Sequence, residues 1–326
     1  MKLIIPMAGK DDRLKPHTHT TPKALLHIAG KTLIEHVLDS VQELPIDKVI
    51  FIVDQNYPEL EKTILKKYRF KPLFILQKER KGVGHAILGA KKYAQDEEII
   101  ILFADTLIEA DLKKIKKLES EAILWTKEVK DPRMYGVAFL HDGFVTKLIE
   151  KPDTPVSDKA LVGAYYFKNS KKLFESLEKL ISSEIMTHGE YQLTDAIQFM
   201  INEGAKIRAE NVKIWYDCGN LPNLLETNKY LLLKEGHKVT GTTNTVIIKP
   251  VFIEKGAEIN NSIIGPNVSI GADTIITNSI ISNTIINNRS TIKDALIKDS
   301  VVGKQTKVAG TIKKLNIGDS SEIHYS

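Results

Sequence analysis

Between residues 247 and 308 a branched aliphatic returns every six residues, sometimes after five: Ile247, Ile253, Ile259, Ile264, Ile270, Ile275, Ile281, Ile286, Ile292, Ile297, Val302 and Val308. Few folds accommodate that beat. A sandwich strand shows period-two alternation in longer runs, whereas a short strand that buries one aliphatic and then turns a corner repeats at this interval. Glycine follows the aliphatic directly at Gly265, Gly271 and Gly303, as in NSIIGPNVSIGAD, and Asn or Asp supply further corners. The spacing predicts stacked coils, a hexapeptide-repeat parallel β-helix over residues 246–326. The register blurs after Gly310, so the last dozen residues are expected to form a cap.

The first two thirds of the chain follow another rule. Apolar runs at residues 3–5, 48–53, 73–76 and 99–103 read as buried strands, and 32–41, 58–68 and 82–94 carry helical spacing between them. Strand–helix alternation predicts βαβ units and an open, mostly parallel sheet that receives ligands at the C-terminal ends of its strands. The loop at Gly9, Gln77 and Asp105 fall at such ends. Strand-like runs at 122–128, 136–140, 145–150 and 161–167 suggest an antiparallel insertion beside that sheet. Helices follow at 171–181 and 194–202, strands at 206–212 and 214–216 are expected to close the sheet, and a last helix spans 221–234. The stretch GHKVTGTTN shifts to small polar residues, giving a domain over 1–235, a linker over 236–245 and a repeat domain over 246–326.

With 326 residues, 42% of them hydrophobic and 27% charged, the chain has material for two globular cores. The formal charge of +5 is read as solvation by helix-face lysines (Lys113, Lys114, Lys116, Lys117), because no aromatic residues interleave with the basic ones as nucleic-acid binding would need. Met1 leads directly into a strand, and no apolar run approaches the roughly 20 residues of a membrane span. Neither membrane nor nucleic acid is an expected partner, and a cytoplasmic location is. Cys218 has no second cysteine for a disulfide or a CxxC site and is read as packing. His17, His19, His27 and His36 lack an H-x-x-x-H spacing and are read as surface or satisfied histidines.

Chemistry concentrates in residues 3–23, LIIPMAGKDDRLKPHTHTTPK. A buried strand running into a small-residue loop (Ala8, Gly9) with Arg13 and Lys23 beyond it suits phosphate, since loop N–H groups and cations converge there. Asp105 follows one apolar strand and Asp217 another. Taken alone, each could equally be a helix cap or a solvated strand end.

The segment resembles the signature of the sugar-1-phosphate nucleotidyltransferases, roughly G-x-G-T-R-L-x-P-x-T-x-x-x-P-K, through Gly9, Arg13, Leu14, Pro16, Thr18, Pro22 and Lys23. Asp11 stands for the second Gly and Asp12 for the Thr, two carboxylates expected to face solvent. Further matches follow in family order: Gln77 with Gly82, Tyr135-Gly136-Val137, Glu150-Lys151-Pro152, Gly163 with Tyr165, the run Glu190 to Asp195 before a helix, and Asp217. Each tripeptide is weak alone; their ordered succession over residues 3–219 is what carries the resemblance.

That resemblance implies a Rossmann-like α/β fold, a mostly parallel mixed sheet flanked by helices, with a left-handed parallel β-helix after it. It implies transfer of a nucleotidyl group from an NTP to a sugar 1-phosphate with release of pyrophosphate. Arg13 and Lys23, with Asp105 and Asp217 as Mg²⁺ ligands, would be catalytic. Ala8, Gly9, Gln77 and Gly82 would bind nucleotide, with the Gln77 amide reading the base and Gly82 letting the ring approach the backbone. Tyr135, Gly136, Glu150, Lys151, Gly163 and Tyr165 would bind the sugar phosphate. Thr194 and Asp195 could simply cap a helix. Gln77 suits thymine or uracil, so dTTP or UTP with glucose 1-phosphate is favoured. Two alternatives stand beside this: a binding subunit that has lost turnover, and a bifunctional enzyme that transfers acyl groups in its coils. No histidine lies between Gly241 and Ile323 for the second. The coils are expected to serve homo-oligomerisation.

Overall fold

A computed structural model describes residues 1–9, 12–55, 57–112, 115, 120–236, 238–310 and 316–324. Asp11, the side chain of Asp12, the four lysines at 113, 114, 116 and 117, and parts of the expected cap therefore lie outside the described residues. Two compact units emerge: Met1–Lys10 with Val37–Trp215, and Asp11–His36 with Tyr216–Ser326.

In the first unit the elements run β1 (Lys2–Pro6), then, past two short strands and a helix start that belong to the second unit (β2 His27–Ile28, β3 Lys31–Thr32, α1 Leu33–Ser40), β4 (Lys48–Val53), α2 (Pro58–Lys67), β5 (Lys71–Leu76), α3 (Val83–Leu88) and α4 (Lys91–Ala94). They continue through β6 (Ile99–Leu102), β7 (Thr106–Glu109), β8 (Ala122–Glu128), β9 (Gly136–His141), β10 (Phe144–Glu150), β11 (Lys159–Phe167), α5 (Lys171–Ser182), α6 (Leu193–Asn202) and β12 (Ile207–Asn211). Nine strands form one sheet in the order β5-β4-β1-β6-β11-β8-β12-β10-β9. β1 is fully buried at Leu3, Ile4 and Ile5. It pairs in parallel with β4 on one side and β6 on the other, so the chain order reverses at its C-terminal end. Phe167, Phe174 and Leu177 anchor the apolar layer in which α3, α5 and α6 pack on the sheet.

Three expectations are corrected. The run of strands at 122–167 does not stand beside the sheet but extends it: β11 pairs antiparallel with β6, and β8, β12, β10 and β9 follow outward. The sheet is therefore parallel only in its β5-β4-β1-β6 half and at the β8–β12 pair. The strand after β12, β13 (Ile214–Asp217), does not close the sheet; it pairs with β7 in a two-stranded ribbon. The helix expected over 82–94 breaks at Gly89–Ala90 into α3 and α4.

The second unit holds residues 11–36, helix α7 (Leu221–Glu235) and the repeat region. Short parallel strands pair in register from coil to coil, as Val251↔Val268 and Thr291↔Lys307 do. Three buried columns result: Ile259, Ile276, Ile292, Val308; Ile264, Ile281, Ile297; and Ile253, Ile270, Ile286, Val302, Ile317. One position differs from the expected beat. Ile276 is fully buried and Ile275 is 44% exposed, because parallel pairing aligns Ile276 with Ile259 and Ile292. Corners recur at Asn244, Asn261, Asn278 and Asp294, all at positive φ, where short amide and carboxylate side chains tolerate the left-handed region. Their side chains bond from coil to coil, as Asn278 Nδ2 does to Asp294 Oδ1 at 3.0 Å.

Among the described residues no helix is long and apolar enough to cross a membrane.

Candidate active site

In the first unit, the loop after β1, Gln77 after β5 and the turn at Phe103–Asp105 after β6 all leave the C-terminal ends of parallel strands. Ala8 is buried and Gly9 exposed. Gln77 lies in the wall of a cleft of about 440 Å³ that Ile52, Ile75, Leu76, His85 and Gly89 also line. Its backbone N–H donates to Val53 O at 2.7 Å. Its side-chain nitrogen stands 3.1 Å from His85 Nδ1 and 3.5 Å from Gly82 O. The amide of Gln77 and the His85 ring thus stand within hydrogen-bond distance, the direction of the bond following the ring's tautomer. His85 was not among the residues expected to matter. Its signal was present, eight positions after Gln77 and on the first turn of a helix, but only the fold faces it toward Gln77.

Gly82 has a conformational reason in the fold itself. At φ +104 it sits under the chain of Glu190–Tyr191, and a Cβ there would lie 2.7 Å from Tyr191 O. Tyr191 N–H donates to Lys81 O and Gly84 N–H to Tyr191 O, a clasp that leaves no room for a side chain.

The expected sugar-phosphate residues converge within the first unit. Glu150 ends β10 directly opposite Gly136 on β9. A Cβ on Gly136 would stand 2.8 Å from Glu150 Oε2 and 3.0 Å from Thr194 Oγ1. Thr194 donates its hydroxyl to Glu150 Oε2 at 2.6 Å, so it does not cap α6, whose N-terminal residue Gln192 makes no side-chain cap bond either. Asp195 points one carboxylate oxygen into a buried position without a hydrogen-bond partner. Burial raises its pKa, opposed by a Thr187 hydrogen bond and the charge of His188. Tyr165 is 3% exposed, its ring 5.8 Å from Phe103. Burial first and the nearby Glu150 charge second push its phenol above the ordinary range. Gly163, at φ +79, passes so close to the β6–β7 turn that a Cβ would meet the Phe103 ring at 2.7 Å.

Lys151 follows Glu150 at φ +41, a conformation uncommon for a side chain of this size, and its N–H donates to Tyr135 O at 3.1 Å. The Nζ lies 3.7 Å from Glu150 Oε1. The Tyr135 ring meets Trp215 edge-on at 4.8 Å between centroids. Gly136, Lys151 and Thr194 thus surround one carboxylate, Glu150, with a cation beside it and a hydroxyl fixing it.

In the second unit, Arg13 and Asp217 approach each other across Gly219. A Cβ added to Gly219 would stand 2.8 Å from Arg13 Nη2 and 2.8 Å from Asp217 Oδ1. The backbone oxygen of Asp217 accepts from Asn223 Nδ2 at 2.9 Å, and Asn220 caps α7 by accepting from Asn223 N–H at 2.9 Å. Asn223 thereby ties the end of β13 to the start of α7. Cys218 is buried and its thiol donates to Thr227 Oγ1 at 3.4 Å, in line with a packing role. Lys23 opens a short 3₁₀ turn, Lys23–Leu25.

Among the described residues no group of three or more His, Cys, Asp or Glu could hold a metal. The donor chemistry at Asp105 and Asp217, single carboxylates, fits Mg²⁺, which takes few protein oxygens and the rest from phosphate and water. It does not fit a metal caged by protein alone.

The profile of the nucleotidyl transferase family matches residues 2–234. A glucose-1-phosphate thymidylyltransferase of Streptomyces griseus is 32% identical over 290 residues, 86% of this chain and 80% of its own. The bifunctional protein GlmU of Methanocaldococcus jannaschii is 36% identical over 263 residues, 79% of this chain, and the matched part spans 61% of that longer protein. Among solved structures, a UDP-glucose pyrophosphorylase complexed with UDP-glucose aligns at TM-score 0.60 and 25% identity, covering 72% of this chain and 98% of that one.

Proposed function

The chain belongs to the nucleotidyl transferase family, the sugar-1-phosphate nucleotidyltransferases, and from that premise we propose that it moves a nucleotidyl group from dTTP or UTP to glucose 1-phosphate, releasing pyrophosphate. The observation that carries this reading is the cluster at Glu150: a carboxylate held by Thr194, flanked by Lys151 and opposite a glycine. Such a cluster suits a ligand with hydroxyls at one end and a phosphate at the other. Glu150 accepts from sugar hydroxyls and Lys151 meets the sugar phosphate.

In this reading an oxygen of the sugar phosphate attacks the α-phosphorus of the NTP, a new P–O bond forms, and the bond to the β-phosphate oxygen breaks with pyrophosphate as leaving group. No covalent enzyme intermediate is needed, so the protein contributes position and charge. Arg13 and Lys23 neutralise the triphosphate. Gln77 reads the base from the cleft wall, its amide fixed by His85. Mg²⁺, for which Asp105 and Asp217 are the proposed carboxylate ligands, would supply further neutralisation of phosphate charge. The repeat region is proposed as a left-handed β-helix that also mediates self-association, with the domain boundary at 236–245. Acyl transfer in the coils lacks a candidate base, since no histidine occurs between Gly241 and Ile323.

The test is Mg²⁺-dependent pyrophosphate release across the nucleoside triphosphates with several sugar 1-phosphates. Release with dTTP or UTP and glucose 1-phosphate is the expected result. Silence with every pair, while nucleotide still binds, would replace this reading with a binding subunit.

A further inference from the structure

The segment that carries Arg13 and Lys23 belongs to the same compact unit as the coils, and its contacts there are specific. His17 is 1% exposed and its Nε2 meets Asn316 Oδ1, 299 positions away. Asp319 divides its carboxylate: Oδ1 accepts the backbone N–H of Lys304 at 2.8 Å, while Oδ2 accepts the hydroxyls of Thr20 and, at 3.2 Å, Thr21. Pro16 lies against Gly318, where a Cβ would be 3.0 Å from Pro16 Cβ. Farther along, Ala29 N–H is shared between Asn228 Oδ1 at 3.0 Å and Ser269 Oγ at 3.2 Å.

The segment has little regular structure with which to fix itself. Among the described residues, the backbone bonds between Arg13 and Lys23 are tight local turns, His17 N–H to Leu14 O, His19 N–H to Pro16 O and Leu25 N–H to Pro22 O. Turns of that kind set neighbouring residues but not two cations ten positions apart. Asp319 adds a fixed point, because one of its oxygens is tied to the backbone of Lys304 and the other reaches the segment at Thr20 and Thr21, just before Lys23.

We infer that Asp319 and Asn316, on the last described coils, are positioning residues for the nucleotide phosphates: they hold the segment from Arg13 to Lys23 in its binding geometry, so the coil stack completes the phosphate site. This rests on the reading that Arg13 and Lys23 meet the triphosphate. Displacing a binding group by about 1 Å can cost roughly a hundredfold in rate, so a held segment and a loose one differ measurably.

The experiment compares the full-length chain with Asp319→Ala, Asp319→Asn and the double variant Thr20→Val with Thr21→Val, which removes the same bonds from the other side should the coil variant fold poorly. Ser279→Ala serves as the control: its hydroxyl is buried inside the stack and bonds only other coil residues. Pyrophosphate release is measured with each substrate varied in turn, and amide hydrogen exchange is followed over residues 13–26. Asp319→Ala and the threonine pair should lower kcat/KM for the NTP by about tenfold or more. The KM for the sugar phosphate should hold, residues 13–26 should exchange faster, and Asp319→Asn should recover part of the loss. Ser279→Ala should move melting temperature alone. Unchanged NTP kinetics or unchanged exchange in both coil and threonine variants would overturn the inference, as would a loss spread equally over both substrates. A wild-type chain that releases no pyrophosphate, yet shows the faster exchange in its variants, would refute the phosphate role while leaving the clasp itself standing.

Discussion

The Thr194 hydroxyl donates to Glu150 Oε2 at 2.6 Å, and both groups crowd the position where Gly136 lacks a side chain. A carboxylate so held keeps its second oxygen for a ligand and for Lys151, 3.7 Å away. Thr194 is 4% exposed on the first turn of α6, so its rotamer is fixed by packing.

Thr194→Val keeps the shape and removes the donor. Hydrogen bonds to charged groups contribute about 1.5–3 kcal/mol, and the freed carboxylate also turns toward Lys151. The expected outcome is a roughly tenfold or greater fall in kcat/KM for the sugar 1-phosphate, with the KM for the NTP nearly unchanged. Steady-state rates with each substrate varied would check it; a loss confined to the NTP would mean that Glu150 does not serve the sugar.

Gln77 and His85 give a second, independent handle. An unrestrained amide can flip its oxygen and nitrogen and so present either a donor or an acceptor to a base. His85→Phe removes the ring-nitrogen partner at 3.1 Å while filling the cleft wall, and should blur the choice among nucleoside triphosphates. The ratio of kcat/KM between the preferred and next-best NTP is expected to fall about tenfold, the worth of one hydrogen bond of about 1.4 kcal/mol. An unaltered ratio would assign base choice to other groups.

Parts of this molecule were legible in the sequence because their patterns are local. Continuous apolar runs announced β1, β4 and β6, and the six-residue beat announced the coils. The beat erred at one place, Ile275, because two adjacent isoleucines satisfy it equally and only pairing with Ile259 and Ile292 selects Ile276. What the sequence could not carry was distance. Nothing in a Pro- and Thr-rich stretch tells that His17 meets Asn316, and nothing near Gly82 tells that the backbone of Tyr191 lies against it. The strands at 122–167 were legible as strands but extend the main sheet instead of standing beside it, since an apolar strand-like run is silent about which sheet edge receives it.

The histidines of the second unit set a dependence of stability on pH. His17 is buried, which lowers its pKa from 6.5 against the opposing Asn316 bond and Asp319 charge. His27 is lowered as well, by burial first, then by Lys304 and His36, with Glu35 opposing. A group whose folded pKa lies below its unfolded value leaves the native state with fewer bound protons than the unfolded chain in the interval between the two. Stability is then fully present above about pH 6.5 and declines as pH falls through that interval, by at most about 1.4 kcal/mol per pH unit for each histidine. Carboxylates act lower down: Glu235, its pKa lowered to about 2 chiefly by its hydrogen bond to His36, holds its contribution until the pH drops below the unfolded value of 4.5. Between pH 7 and 5 the denaturant midpoint should therefore fall with acidification. His17→Gln keeps a side-chain donor for Asn316 and cannot be protonated, so its slope should be shallower than that of the unsubstituted chain. Parallel slopes across that range would show that His17 takes up its proton equally well folded and unfolded.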